Sequence, residues 1–342
     1  MIDILIVTYG NRWNYLEKVI AGLLTETIIR QITIVNNKSD YDLKSQTENL
    51  QSDKIVVLDL ENNFGSAYGF KFGLTYLLNQ PRANLILLLD DDNLPEADCI
   101  DKMLNYWHTM DDKEKESHTM LLALRPDRSY LKNAAKGLRT NLFFPLNNHF
   151  LGFNLFRPDI WLLKKFYPRT LKNKPAQHSV SIPCAPYGGL FFHKKLLLKN
   201  GMPDKRFFTY ADDFDFTYRN AQHNGKIFLL PGCVVKDMDT PFVNKKSAGL
   251  FNPKFLKMDQ FRLFYLMRNT MFFTKQYFIS SRFIFAVNRF VYTFYLFLLA
   301  IIYGKIKTFL LFNSAIGKGL KGDFENEPAL LTKIKSKNKT QN

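Results

Sequence analysis

Asn84-Leu-Ile-Leu-Leu-Leu-Asp-Asp-Asp-Asn-Leu-Pro95 is the stretch on which the reading of this chain turns. Leu85 to Leu89 form an unbroken apolar run, too short to cross a membrane and of the length of a strand buried on both faces. The run stops in three carboxylates, Asp90, Asp91 and Asp92. In open α/β sheets ligands bind beyond the carboxyl ends of strands, which is where these three fall. Adjacent carboxylates repel one another unless a cation sits among them. A divalent ion bridging the phosphates of a substrate is the natural cation, because hard metals take oxygen ligands. Residues i and i+2 of an extended segment point the same way, so Asp90 and Asp92 address one metal and Asp91 turns to another partner. A plainer reading makes Asp92 or Asn93 the N-cap of a helix with Pro95 in its first turn. That accounts for one acidic residue, not three.

The same rhythm extends upstream. Ile2–Thr8 is an apolar strand, Tyr9-Gly10-Asn11-Arg12 a turn, and Trp13–Leu24 a helix by the spacing of Leu16, Val19, Ile20 and Leu23. Ile32–Val35 is a second strand, ending in Asn36-Asn37. Ile55–Leu58 is a third, followed by Glu61-Asn62-Asn63-Phe64-Gly65-Ser66 and a helix marked by Ala67, Phe70, Leu74, Leu77 and Leu78. Strands alternating with helices predict an α/β fold with a parallel sheet covered by helices. Polar or small residues stand at each strand's carboxyl end: Thr8, Asn36, Asn63 to Ser66, and the aspartate triplet. They outline a nucleotide pocket along one sheet edge.

Downstream, Pro95–Met110 has helical spacing and Met120–Leu124 is a strand. Pro126–Ser181 is irregular, aromatic and basic, as substrate loops often are. Pro186-Tyr187-Gly188-Gly189 leads into the strand Leu190–Phe192. Asp212 and Asp213 open a helix that stops at Gly225, and a helix N-terminus stabilises their anionic forms. Two strands, Lys226–Leu230 and Cys233–Val235, flank Pro231-Gly232, and Asp237 and Asp239 follow. Phe261–Tyr303 is helical, aromatic and studded with Arg262, Arg268, Lys275, Arg282 and Arg289. Phe290 to Tyr303 carries no charge but falls short of the roughly 20 residues of a span. With cations flanking it, it reads as a surface-lying or shallowly inserted helix, the alternative being an ordinary buried one. Lys333–Asn342 is a basic tail with the composition of disorder.

The 342 residues suffice for one large domain with an appendage, or two domains. A formal net charge of +16 favours an anionic partner: nucleic acid, a phosphorylated substrate or an acidic membrane surface. Cys99, Cys184 and Cys233 have neither metal-ligand spacing nor a paired framework, which fits a reducing compartment. The N-terminus reads as a strand at once, without the basic region or cleavage site of a signal peptide.

Taken in order, these pieces resemble the inverting glycosyltransferases of family 2, which have the GT-A fold. The matching segments are Ile6-Val7-Thr8-Tyr9-Gly10-Asn11-Arg12, Ile34-Val35-Asn36-Asn37, Asn63 to Gly69, Leu89 to Asp92, Gly188 to Phe192, Phe208 to Asp215, Leu230 to Val235 and Arg268-Asn269. Within the family the chain is most similar to bacterial galactofuranosyl- and rhamnosyltransferases of cell-surface polysaccharide assembly. The resemblance implies a GT-A (Rossmann-like) domain over 1–250, with a donor half of about 1–125 and an acceptor half of about 126–250. A helical region open to membrane association follows over 251–325, then the basic tail 326–342. It implies that Asp90 and Asp92 hold Mn²⁺ or Mg²⁺ on the donor diphosphate, with Asp237 (or Asp239 at a small offset) where relatives often place a His. It puts Thr8, Arg12, Asn37, Asn63, Gly65 and Asp91 on the donor nucleotide, and Tyr187, Gly188 and Gly189 on the acceptor. Asp213 matches the catalytic base, with Asp212 in place of the usual Glu before it, and Asn36 replaces the usual Asp of its motif.

The residues agree with that chemistry. Displacing a nucleoside diphosphate from a sugar needs the leaving charge stabilised, which a metal supplies as a Lewis acid. The attacking hydroxyl must lose a proton, which Asp213 takes. By themselves Asp212 and Asp213 are helix caps; the ordered set of motifs favours catalysis. The expected partners are a nucleotide-sugar donor, with UDP-galactofuranose ahead of dTDP-rhamnose, and a lipid-linked or growing glycan. The expected location is the cytoplasmic face of the cell membrane, as a peripheral protein, with the oligomeric state open. The rival is a basic nucleic-acid-binding protein, for which the charge speaks. No helix-turn-helix, zinc-finger or RNA-binding aromatic motif supports it, so no nucleic acid is expected. A degenerate transferase acting as a scaffold is disfavoured by the presence of Asp90, Asp92 and Asp213.

Overall fold

The structure is a computed structural model that describes residues 1–82, 84–111, 113–142, 144–160, 162–163, 176–239 and 254–325. The expected basic tail lies outside the described residues. The chain divides into two compact units. The first comprises Met1–Thr140, Pro168–Phe208 and Asp212–Phe242; the second comprises Asn141–Tyr167, Thr209–Ala211 and Val243–Asn342.

The first unit is built on strands β1 (Ile2–Gly10), β2 (Ile29–Ser39), β3 (Ile55–Asp59), β4 (Leu85–Asp90), β5 (Asn93–Pro95), β6 (Thr119–Leu124), β7 (Val180–Ser181), β8 (Leu190–His193) and β9 (Lys226–Asp237). Their order is β3-β2-β1-β4-β8-β6-β9-β5, with β7 also on β9. From β3 to β4 all pairings are parallel. The expected parallel sheet is thus formed by the first four strands, and β8 joins it antiparallel to both β4 and β6. Its lead-in, Tyr187-Gly188-Gly189, turns the chain directly into the sheet, with Gly189 at φ +89°, where a crossover helix would have kept the strands parallel.

Strand β1 shows why the sheet forms. Seven consecutive residues, Ile2 to Thr8, are buried, and its side chains alternate between two covered faces. Ile2, Ile4 and Ile6 join Leu85, Leu87 and Leu89 in a core with Leu16, Val19, Ile20, Leu23, Met103 and Trp107. On the other face Leu5 and Val7 meet the helix Ser66–Leu78 through its glycines. A Cβ on Gly73 would lie 2.3 Å from Leu5 Cδ1, and one on Gly69 2.6 Å from Val7 Cγ1. These glycines let a helix lie flat on a strand of bulky side chains.

Two boundaries differ from the sequence reading. Pro95 belongs to β5, antiparallel to β9, and the helix begins at Cys99. The segments flanking Pro231-Gly232 are one strand. Its register on β6 jumps from Ala123↔Leu230 to Leu124↔Val234, so the proline sits in a bulge where its missing N–H leaves no ladder bond unmade.

In the second unit, Phe261–Tyr303 is interrupted. Helix Gln260–Tyr277 is capped by Asp259, helix Arg282–Ile302 by Ser281, and a third helix spans Ile306–Lys321. Asn148, at φ +60°, ties the turn between the first two. Its side chain accepts from Ser281 N and donates to Ser280 Oγ, both at 2.8 Å. Asn288, fully buried inside the apolar second helix, donates to Asn148 O and accepts from Leu155 N, both at 2.8 Å. Arg268 is buried beside the rings of Tyr265 (4.7 Å) and Phe324 (4.8 Å). Asn269 donates to the carbonyls of Thr209 (2.6 Å) and Tyr210 (3.0 Å). These contacts fasten the helix to its neighbours within the second unit. Arg282–Ile302 is the one described helix long and apolar enough to cross a membrane.

Candidate active site

The end of β4 delivers the triplet into a cluster of opposite charges. Asp91 turns inward and is buried. Thr8 Oγ1, at the end of the neighbouring β1, donates to Asp91 Oδ2 at 2.8 Å. Arg12, in the turn after β1, donates through Nε to Asp91 Oδ1 at 2.7 Å and through Nη2 to Asp92 Oδ2 at 2.5 Å. Its Nη1 reaches Asp239 Oδ2 at 3.0 Å. Asp92 and Asp237 adjoin because β5 pairs with β9 in the register Asn93↔Asp237, and Met238 N donates to Asp92 O at 2.8 Å.

A second guanidinium holds the other side. Arg125, fully buried directly after β6, lies 3.0 Å from Asp90 Oδ2, 2.5 Å from Asp237 Oδ2 and 3.5 Å from Asp127 Oδ1. Arg128 lies 2.8 Å from Asp127 Oδ2. Gly188 makes room for this network. A Cβ there would stand 2.0 Å from Asn93 Oδ1, 2.5 Å from Arg125 Nη1 and 2.9 Å from Asp90 Oδ2. Gly188→Ala is therefore expected to cost about 1–3 kcal/mol of stability by urea unfolding, the usual cost of overpacking.

The end of β2 and the segment after β3 lock onto each other. Asn37 Nδ2 donates to Asn63 Oδ1 at 3.1 Å, and Asn37 Oδ1 accepts from Phe64 N at 2.9 Å. Asn63 Oδ1 also accepts from Gly65 N at 2.9 Å. Gly65 is at φ +83°, and a Cβ on it would lie 2.1 Å from the Phe208 carbonyl oxygen. That close approach joins this segment to the acidic pair: Ala67 N donates to Phe208 O at 3.2 Å, and Ser66 Oγ to Asp212 Oδ2 at 3.3 Å.

Asp212 and Asp213 open the helix Asp212–Gln222. Asp212 is buried, and burial together with its Asp213 neighbour pushes its carboxyl well above the usual range. Asp213 is half-buried and accepts from Phe214 N at 2.8 Å. Burial raises it to about 6; the Phe214 N–H opposes the shift and the charge of Asp90 adds to it. Asp90 acts on both residues, so the triplet and the pair share one electrostatic neighbourhood. Tyr187 is buried, its ring centroid 4.3 Å from Phe70 and 6.0 Å from Phe216. It is a packing residue under the acidic pair rather than an open surface for a sugar.

No ready-made group of three His, Cys, Asp or Glu side chains for a metal ion occurs among the described residues. The donor set nevertheless fits a hard divalent cation in charge and chemistry. Asp90, Asp91, Asp92, Asp127, Asp237 and Asp239 outnumber Arg12, Arg125 and Arg128. Asp237 Oδ1 is buried without a hydrogen-bond partner. Burial, then the charges of Asp90, Asp237 and Asp91, push the Asp92 carboxyl to about 7. A cluster in that state is short of positive charge.

Thr8, Arg12, Asn63, Gly65, Asp90 to Asp92, Gly188, Asp212, Asp213 and Asp237 thus gather at one sheet edge. Thr8, Asn37 and Asn63 spend the polar atoms described above on other protein groups, and Gly189 turns the chain into β8. Arg125, Asp127, Arg128, Asn93 and Ser66 escaped the sequence reading. Arg125-Pro-Asp-Arg128 stands at the carboxyl end of a predicted strand, the same signal that marked the triplet, but was absorbed into the irregular stretch after it.

The profile of glycosyl transferase family 2 matches residues 3–113. Comparison with curated protein sequences returned no significant match. Among solved structures, that of GalNAc-T7 with UDP, GalNAc and Mn²⁺ aligns with a TM-score of 0.52 at 11% identity, covering 79% of this chain and 50% of that one. The mannosyltransferase PcManGT from Pyrobaculum calidifontis, in complex with GDP-Man and Mn²⁺, aligns with a TM-score of 0.50 at 12% identity, covering 98% of this chain and 79% of that one. This chain therefore spans half the length of the GalNAc-T7 chain, and at such identities the likeness is one of fold. Residues 3–113 match the glycosyl transferase family 2 profile, and the mixed α/β sheet that carries them has a GT-A-like fold similar to these neighbours.

Proposed function

We propose that the chain is an inverting glycosyltransferase that moves a sugar from a nucleotide donor to a hydroxyl of a lipid-linked or growing glycan in cell-surface polysaccharide synthesis. The observation that carries this reading is the convergence of two acidic groups at one sheet edge. Asp90–Asp92 ends a parallel strand, and the charge of Asp90 reaches Asp212 and Asp213 at the start of a helix. One group suits a metal-bound diphosphate and the other a proton acceptor.

In this reading Asp92 and Asp237, with Asp90, hold a divalent cation, Mn²⁺ or Mg²⁺. When bound, it supplies Lewis-acid stabilisation of the leaving diphosphate. Arg12 and Arg125 orient the surrounding carboxylates and offset part of their mutual repulsion. Asp213 accepts the proton of the acceptor hydroxyl as its oxygen bonds to the anomeric carbon. The bond from that carbon to the phosphate oxygen breaks, and its electron pair leaves with the nucleoside diphosphate. Attack opposite the leaving group inverts the anomeric centre. Asp212, its carboxyl pushed up by burial and by Asp213 and hydrogen-bonded to Ser66, fixes the first turn that presents Asp213.

We favour UDP-galactofuranose as donor, with dTDP-rhamnose as the alternative, on the Asp triplet and the Leu230-Pro231-Gly232 segment. We also place the protein peripherally on the cytoplasmic membrane face. Phe283, Phe290, Phe294, Leu298, Ile301 and Ile302 are exposed along one helix, with Arg282 and Lys305 near its ends, a pattern that suits an anionic bilayer. The test is calorimetric titration with UDP-galactofuranose, UDP-galactopyranose, UDP-glucose and dTDP-rhamnose, each with Mn²⁺ and with chelator. Metal-dependent binding of one donor supports the reading and names the nucleotide; binding of none overturns it.

A further inference from the structure

The second unit contains a groove of about 810 Å³ between its last two long helices and the turn before them. Three cations line it, Lys275, Arg282 and Arg289, and no carboxylate does. The rest of its wall is mostly aromatic, including Phe290, Phe294, Phe297 and Phe309. Arg282, Arg289, Thr293 and Phe297 succeed one another at spacings that keep them on one face of the helix. Along that face the wall changes from cationic to apolar. From Arg289 to Phe297 the helix rises about 12 Å.

Two groups in this wall lack what they need. Among the described residues Arg289 has no acceptor and no anion beside it, and burial alone lowers its pKa. Arg289 is half-buried, so its guanidinium is only partly hydrated, and an anion beside it would recover part of that cost. Thr293 Oγ1, one turn further on, is buried without a hydrogen-bond partner, which costs free energy in the same way.

We propose that this groove binds a long-chain phosphate ester, with its phosphate or diphosphate on Lys275, Arg282, Arg289 and Thr293 and its chain along Phe290, Phe294, Phe297 and Phe309. The cations select an anionic head, the aromatic wall takes a chain, and their order along the helix fixes which end lies where. As a seat for the lipid end of an acceptor, the assignment rests on the transferase reading. The test uses no turnover and no nucleotide, so either can fail while the other stands.

The probe is dodecyl phosphate below its micelle concentration, titrated calorimetrically into the full chain. Inorganic phosphate serves as the head alone and dodecyl maltoside as the chain without the charge. The expected result is saturable binding of dodecyl phosphate at least about tenfold tighter than either control, since an ionic hydrogen bond at a desolvated site is worth that much. Arg289→Leu is expected to weaken binding about tenfold or more. The same variant should leave the melting temperature of the unliganded protein unchanged or higher, because it removes a half-buried cation that no carboxylate pairs. Thr293→Val should weaken binding about threefold. Equal affinity for inorganic phosphate or for dodecyl maltoside overturns the proposal, as does absence of binding. An Arg289→Leu variant that binds like wild type overturns it too, and one that melts well below wild type assigns Arg289 a structural role instead. Binding to phosphatidylglycerol vesicles without binding to monomeric dodecyl phosphate replaces the groove with a membrane surface.

Discussion

Asp213→Asn is expected to lower turnover by about 10²–10⁴-fold, the usual contribution of a positioned general base, while donor affinity stays close to wild type. Asparagine keeps the size of the side chain and its acceptor for Phe214 N–H, so the helix start survives; what it cannot do is take a proton. The pH profile gives the same residue a second signature. With its carboxyl raised to about 6, chiefly by burial, Asp213 is protonated below that pH, and kcat/KM should fall about tenfold per unit there. The stability effect has a definite sign. A folded carboxyl above its unfolded value of 3.8 favours the native state at low pH, and that advantage is lost as pH rises through about 6. Asp213→Asn should therefore melt higher than wild type at pH 8, by a margin that shrinks toward pH 4. Wild-type turnover in the variant would remove Asp213 from the mechanism.

Arg125→Leu carries the largest expected cost in stability, about 3–5 kcal/mol, because it strands carboxylates that a buried guanidinium now neutralises. Asp237 and Asp127 are buried beside Arg125, with Asp90 at their rim. Urea unfolding measures the cost, and a loss under 1 kcal/mol would contradict the arrangement. The contrast with Arg289 is informative. The same substitution, Arg to Leu, is expected to be strongly destabilising where carboxylates surround the cation and harmless to the unliganded fold where none does.

The parallel half of the sheet was legible because each of its strands is an apolar run ending in polar residues, and that pattern follows from burial on both faces. The antiparallel insertion of β8 was not, since a four-residue strand looks the same in either direction. The one-residue signals at Pro95 and Pro231 misled in opposite ways. Proline suits a helix start, but here it closes a short strand; proline interrupts a strand, but here it sits in a bulge. At the site, the residues with charge at strand ends were found. Arg125 was not, because a basic residue reads as solvent-facing unless its carboxylate partners are known, and those come from segments as distant as Asp90 and Asp237. Tyr187, which the resemblance put on the acceptor, is buried by the fold against Phe70 and Phe216.

The most direct test of the central claim is release of nucleoside diphosphate from the donor panel, with a short lipid-linked acceptor, in Mn²⁺ and in chelator. The account predicts release from one donor that needs the metal, inverts the anomeric configuration in the product and collapses in Asp213→Asn. Release from that donor undiminished by chelator and by Asp213→Asn would contradict it.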